Sequence, residues 1–160
     1  MFYDKQNKTL YFYPAPNLNL EKALVEVSHL RHSIELKGTI QNPVQNITLQ
    51  NLTFTHNERT FMNIYEPLLR SDWRIYRGGA VVLENTENCL ISDCEFVNLG
   101  GNAVFFSRYN KNSTVKGSIF HEIGASAICF VGDTSAVRSA SFQYDFFVLQ
   151  QNENSITVKA

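Results

Sequence analysis

Apolar and polar residues alternate along much of the chain, and the alternation returns at a fixed interval. The segments ITLQNLTF (Ile47 to Phe54), CLISDCEF (Cys89 to Phe96) and STVKGSIF (Ser113 to Phe120) share one pattern, with Phe54, Phe96 and Phe120 in register at spacings of 42 and 24 residues. A second ladder joins GAVVL (Gly79 to Leu83), NAVFF (Asn102 to Phe106) and SAICF (Ser126 to Phe130) at spacings of 23 and 24. A period of two within each segment marks a strand with one buried face. The alternation jogs after Leu49 and after Ile91, and there Asn51, Asp93 and Gly117 share one position. These residue types best tolerate a left-handed backbone, so the column predicts a tight corner between two strands.

A strand, corner, strand unit that recurs every 23 or 24 residues, with no helical periodicity between copies, predicts a solenoid whose coils stack about 4.8 Å apart. The expected fold class is all-β: a partial right-handed parallel β-helix with an N-terminal β-hairpin. Like residues then form columns inside it, the three phenylalanines in one and Leu52, Cys94 and Ser118 in another. The spacing of 42 is one coil plus about 18 residues, which places an inserted loop at about 57–78. Insertions in repeat proteins map to loops on one face, often the binding face. Upstream, FYDKQNKTLYFYP predicts a hairpin turning at Gln6 to Lys8, and ALVEVSHLRHSIELKG predicts extended strands leading into the first coil. The expected organisation is residues 1–43 for hairpin and lead-in strands, 44–145 for the coils, and 146–160 for an irregular tail that aligns with no coil.

Composition narrows the partners. Lys and Arg number 14 against 15 Asp and Glu, a net charge of −1, so there is no electrostatic footprint for nucleic acid or an anionic membrane. No stretch approaches the roughly 18 apolar residues of a membrane span. The N-terminus lacks the basic segment, apolar run and small-residue cleavage site of a secretory signal. Cys89, Cys94 and Cys129 are odd in number and lack metal-ligand spacing, which predicts small core residues rather than disulfides or a metal site. No cofactor is expected.

The stretch from RTFMNIYEPLLRSDWRIYRGGAVVLENTENCLISDCEFVNLGGNAVFFSRYN through HEIGASAICFVGD resembles the β-helix domain of large secreted bacterial glycoside hydrolases. The nearest groups are the β-helix α-L-fucosidase/xylanase family and, less closely, the β-helix β-xylosidases. YDKQNKTLYFYP also looks like the segment that precedes the helix in such proteins. The resemblance covers roughly residues 1 to 145 and is most specific at VNLGGNAVFF (Val97 to Phe106) and EIGASAICFVGD (Glu122 to Asp133). It implies hydrolysis of glycosidic bonds in a polysaccharide or oligosaccharide and a secreted or periplasmic family. It also implies that this chain is a fragment of a longer solenoid.

Such hydrolases need two carboxyl groups, about 5 to 5.5 Å apart for retention and about 6.5 to 9.5 Å for inversion. Asp93 shares the corner column and is expected to be structural; Glu95, flanked by inward Cys94 and Phe96, is expected to point to solvent between Thr53 and Ile119. Glu122, aligned with His56 and Asn98, is the candidate proton donor. Asp133 lies one coil after Tyr109 and beside Arg108, which favours its ionised form and suits a nucleophile or base. No column stacks two carboxylates directly. Trp73 and Tyr76, in the inserted loop, are candidate walls of a sugar cleft through ring stacking, and Arg108, Tyr109 and His121 are further candidate binding residues. His29 and His32 are expected at the surface. Two other classes stay open: a non-catalytic carbohydrate-binding or truncated solenoid, and a β-helix polysaccharide lyase, which typically binds Ca²⁺ through an acidic cluster not apparent in this sequence.

Overall fold

The computed structural model describes residues 2–60, 63, 66–67 and 74–133. Fifteen strands occur among them, in the order β1 (Phe2–Asp4), β2 (Thr9–Tyr11), β3 (Ile34–Lys37), β4 (Val44–Gln45), β5 (Thr48–Gln50), β6 (Thr53–Thr55), β7 (Glu66–Pro67), β8 (Arg74–Ile75), β9 (Val81–Glu87), β10 (Leu90–Ser92), β11 (Glu95–Leu99), β12 (Val104–Lys111), β13 (Thr114–Lys116), β14 (Ile119–Ile123) and β15 (Ile128–Val131).

The hairpin forms as the sequence predicts. β1 and β2 pair antiparallel, Phe2 opposite Tyr11. The turn is closed by the Asp4 carboxylate, which accepts from the backbone amides of Gln6 at 2.9 Å and Asn7 at 3.2 Å, while Lys8 takes a left-handed φ of 53°. This Asx-type closure is the local reason the chain reverses here.

From β3 onward the strands stack in parallel, apart from β7 and β8, which pair antiparallel with each other, and three sheets form the sides of the solenoid. They run β13-β10-β5, β14-β11-β6 and β15-β12-β9-β3. The first coil comprises β3 to β6, the second β9 to β11, the third β12 to β14, and β15 opens a fourth. Both ladders read from the sequence are in register: Phe96 pairs with Phe54 and Phe120, and Val104 pairs with Val81 and Ile128. Phe96 stacks at 4.8 Å on Phe54 above and on Phe120 below, and Phe106 stacks at 4.6 Å on Phe130. A coil cannot bury its own apolar face, so each rung depends on the next.

β3 belongs to the first coil rather than leading into it, since Ile34 to Lys37 pairs with Val81 to Glu84. Its distance from β9 is lengthened by the insertion, and that hid the repeat. In the column of Leu52, Cys94 and Ser118, Cys94 is buried and its amide donates to Ser118 Oγ at 3.2 Å. Leu52 is exposed, because no rung covers the outer side of its coil among the described residues. Cys89, Cys94 and Cys129 are buried free thiols, as expected of core residues; desolvation pushes the Cys129 thiol up from its ordinary value.

The corners share one backbone device. Asn51, Asp93 and Gly117 have φ of 57°, 53° and 61°, as the jog in the alternation predicts. Two further left-handed columns flank them: Asn46, Asn88 and Asn112 on one side, and His56, Asn98 and Glu122 on the other. Asn and Asp populate this region because their short polar side chains bond locally; Asn112 Nδ2 reaches Asn88 Oδ1 on the coil above at 3.4 Å. At Gly117 a Cβ would strike the Asp93 carboxylate, so glycine fits the column at this rung.

Candidate functional site

The outer face of the sheet β15-β12-β9-β3 is not bare. Val82, Phe105 and Cys129 point outward from successive coils and form a small apolar cluster with Ile75 and Val131. Ile75 lies at the end of the inserted segment, so this end of it packs onto the face. Arg77 fixes it there. Its guanidinium lies 6.0 Å from the centre of the Phe105 ring and donates to Ser107 Oγ at 3.0 Å, to the Val131 carbonyl at 3.2 Å and to the Gly132 carbonyl at 3.0 Å.

Next to Arg77 the second and third coils differ by one residue. Ser107 pairs with Glu84, and pairing resumes with Asn110 opposite Thr86, so Arg108 and Tyr109 together oppose the single residue Asn85. This is a β-bulge, a device that re-aims a side chain. It is held from inside by Thr86 Oγ1 donating to Asn110 Oδ1 at 2.7 Å and by Asn110 Nδ2 donating to the Ser107 carbonyl at 2.8 Å. Asn85 and Arg108 form a fourth left-handed column, with φ of 53° and 59°. An asparagine adopts that conformation cheaply; an arginine does so at a cost of about 1–2 kcal/mol.

The bulge puts Arg108 between two carboxylates from different coils. Its Nε lies 3.6 Å from Asp133 Oδ2 and 3.9 Å from Glu84 Oε2. Glu84 Oε2 also accepts from Ser107 Oγ at 2.9 Å, so a chain of donors runs from Arg77 through Ser107 to Glu84. Beside it the Tyr109 hydroxyl donates to Glu87 Oε1, and this hydrogen bond, more than desolvation, holds the phenol above its ordinary value. With half of the Arg108 side chain exposed, these ion pairs orient groups more than they stabilise the fold.

The predicted site residues divide among several places. Arg108, Tyr109 and Asp133 come together in this cluster, and the adjacency of Asp133 to Arg108 is as the sequence suggests. Glu122 does not join them. It stands exposed at the corner that precedes β15, whereas Asp133 follows β15. His121 is on the outer face of the sheet β14-β11-β6, where its Nε2 lies 3.0 Å from Glu95 Oε1. Glu95 does point outward between Thr53 and Ile119. Tyr76 stacks on His32 at 6.0 Å, which commits its ring to the lead-in segment. His32 is correspondingly half-buried, with Nδ1 2.8 Å from the Gly79 carbonyl, and not the surface residue expected. Trp73 lies outside the described residues.

Glu84, Glu87 and Ser107 went unread as site residues. The signal was present in the spacings, because the second ladder runs at 23 from Leu83 to Phe106 while the first runs at 24 from Cys89 to Ser113. One extra residue between them on the third coil is the bulge.

Neither the curated proteins nor the solved structures give a significant match. A family model described as a right-handed β-helix region matches residues 38–142, which take in every strand of the three solenoid sheets except β3. The chain therefore belongs to the right-handed β-helix family.

Proposed function

We propose that this chain is a carbohydrate-active β-helix of the glycoside hydrolase type, and that its sugar site is the cluster around Arg108 rather than the corner at Glu122. One observation carries the reading: a strained bulge presents an arginine to Glu84 and Asp133, carboxylates from different coils. Because both sit within 4 Å of one nitrogen, the two oxygens are no more than about 7.5 Å apart, an upper bound compatible with the carboxyl spacings that glycosidic hydrolysis uses. Asp133, paired with Arg108, is the base or nucleophile. Tyr109 and Glu87 offer a hydroxyl and a carboxylate for sugar hydroxyls, and Arg77 lies beside them.

A second reading, binding without turnover, is favoured by the same arginine. It already pairs with both carboxylates, an arrangement that suits holding a sugar as well as cleaving one. The test is incubation of the chain with neutral hemicellulose and with fucosylated oligosaccharide, reading reducing ends released, unsaturated products by ultraviolet absorbance, and binding by calorimetry. Reducing ends that are insensitive to EDTA and lost in Asp133→Asn support hydrolysis. Binding with no product, weakened in Asp133→Asn, supports the second reading. Unsaturated products point instead to a lyase, and absence of both binding and turnover rejects a carbohydrate role for this cluster.

A further inference from the structure

The residues on either side of Arg77 both turn their carbonyls to one buried side chain. Asn102 Nδ2 donates to the Tyr76 carbonyl at 3.1 Å and to the Gly78 carbonyl at 2.8 Å. Asn102 is only 4% exposed. At its other end Oδ1 accepts from the backbone amide of Ser126 at 3.2 Å. Two carbonyls face one end of the amide and an N–H faces the other, so a single orientation satisfies every partner. Ser126 leads into β15, and the end of β15 supplies the Val131 and Gly132 carbonyls that accept from Arg77. One side chain therefore fixes both the residue that donates and the strand that accepts.

We propose that Asn102 is a positioning residue for the sugar site, acting through Arg77 to hold Ser107, Glu84 and Asp133 in place. The path is explicit. Arg77 donates to Ser107 Oγ at 3.0 Å, and Ser107 Oγ donates to Glu84 Oε2 at 2.9 Å. Gly132, whose carbonyl Arg77 also holds, is the chain neighbour of Asp133. The hydrogen bonds that Asn102 itself makes go to Tyr76, Gly78 and Ser126, and none of them touches the cluster. His32 is the rival anchor, with its ring on Tyr76 and its Nδ1 2.8 Å from the Gly79 carbonyl. Its other partner is Glu35 on β3, so it does not tie Arg77 to β15. Removing the Asn102 amide leaves two carbonyls without their donor, and a buried acceptor left unpaired forces its backbone to shift or open to water. The ligand in this proposal rests on the carbohydrate reading; the positioning of Ser107 and Asp133 does not.

The test uses the full labelled chain and two substitutions. Asn102→Asp keeps the size and the acceptor for Ser126 but sets a carboxylate against two carbonyls. Asn102→Ala removes the contacts without adding a buried charge, and serves if the aspartate variant does not fold. Amide spectra are recorded without ligand, beside Asn88→Ala and His32→Ala as comparators. In the Asn102 variants the signals of Ser107, Gly132 and Asp133 should move, and the Arg77 Nε–H should exchange with water at least about five-fold faster. Asn88→Ala, a corner substitution with its own cost in stability, should leave those signals in place. Stationary signals in folded Asn102→Ala, equal shifts in Asn88→Ala, or larger ones in His32→Ala would each overturn the positioning role. A second arm adds xylohexaose, which should bind at least roughly ten-fold more weakly to Asn102→Ala than to the parent. Undiminished binding with displaced signals would overturn the role at the sugar site. Failure of the parent to bind would overturn the carbohydrate reading and that role with it, while the ligand-free spectra still decide the positioning.

Discussion

Replacing Phe96 by alanine removes the middle ring of the stack that runs through the solenoid. Phe96 is fully buried and sits 4.8 Å from Phe54 on one side and Phe120 on the other. Truncating a buried Phe to Ala costs about 3–5 kcal/mol in transfer and cavity terms. Two broken ring pairs, worth roughly 0.5–1.5 kcal/mol each, place this case toward the upper end. The adjacent residue supplies the control. Glu95 points to solvent, and its contacts with His121 and Thr53 are on the exposed face, so Glu95→Ala should cost less than about 1 kcal/mol. For a chain of this size each kcal/mol shifts the melting temperature by roughly 2–4 °C. Phe96→Ala should therefore melt about 6–20 °C lower, and Glu95→Ala within about 4 °C of the parent. Urea denaturation followed by circular dichroism, with calorimetry for the melting temperature, reads both. If the two substitutions cost the same, or Phe96→Ala costs under about 1 kcal/mol, the inward and outward assignment of this strand is wrong.

Three further outcomes follow from the corners and the Arg108 cluster. Asn88 is left-handed at a corner, so Asn88→Ala should lose about 1–2 kcal/mol while Asn88→Gly stays near neutral, measured by urea titration. Arg108→Gly relieves the strained φ of 59° and should leave stability unchanged or raise it by up to about 1 kcal/mol, yet abolish sugar binding; a large loss of stability with binding intact would contradict the role given to the bulge. Tyr109 should ionise above the ordinary phenol value of 10.0 because of its bond to Glu87. A group whose folded pKa is raised contributes stability below its unfolded pKa and loses it as pH rises through the folded value. The Tyr109 contribution should thus be present below about pH 10 and fade above it, and Glu87→Gln should bring the ultraviolet titration of this phenol back down.

The solenoid was legible because its physics is written in one dimension. Phe54, Phe96 and Phe120 occupy a common column only if a coil closes every 24 residues or so, and Asn51, Asp93 and Gly117 occupy a common corner only if the backbone turns left-handed there. β3 reads from sequence as a strand leading into the first coil rather than part of it, because the insertion lies between it and its partner β9. The functional residues were harder to read because a site on a β-helix is made by side chains on different coils at a local departure from the repeat. Asp133 and Arg108 could be placed together from the ladder, but Glu84 could not, because its approach to Arg108 depends on the extra residue of the bulge. Glu122 looked suitable in a column with His56 and Asn98. That column is a left-handed corner, and β15 intervenes in the chain between it and Asp133.

The account centres on the cluster built by the Arg108 bulge as the place where a sugar is held. Titration of the labelled chain with xylohexaose, followed by amide chemical-shift mapping, addresses this directly. The expected shifts concentrate at Glu84, at Ser107 to Tyr109, and at Gly132 and Asp133, and they vanish in Arg108→Gly. Shifts centred on Glu122 or on the Glu95 and His121 pair, or none at saturating xylohexaose, would contradict it.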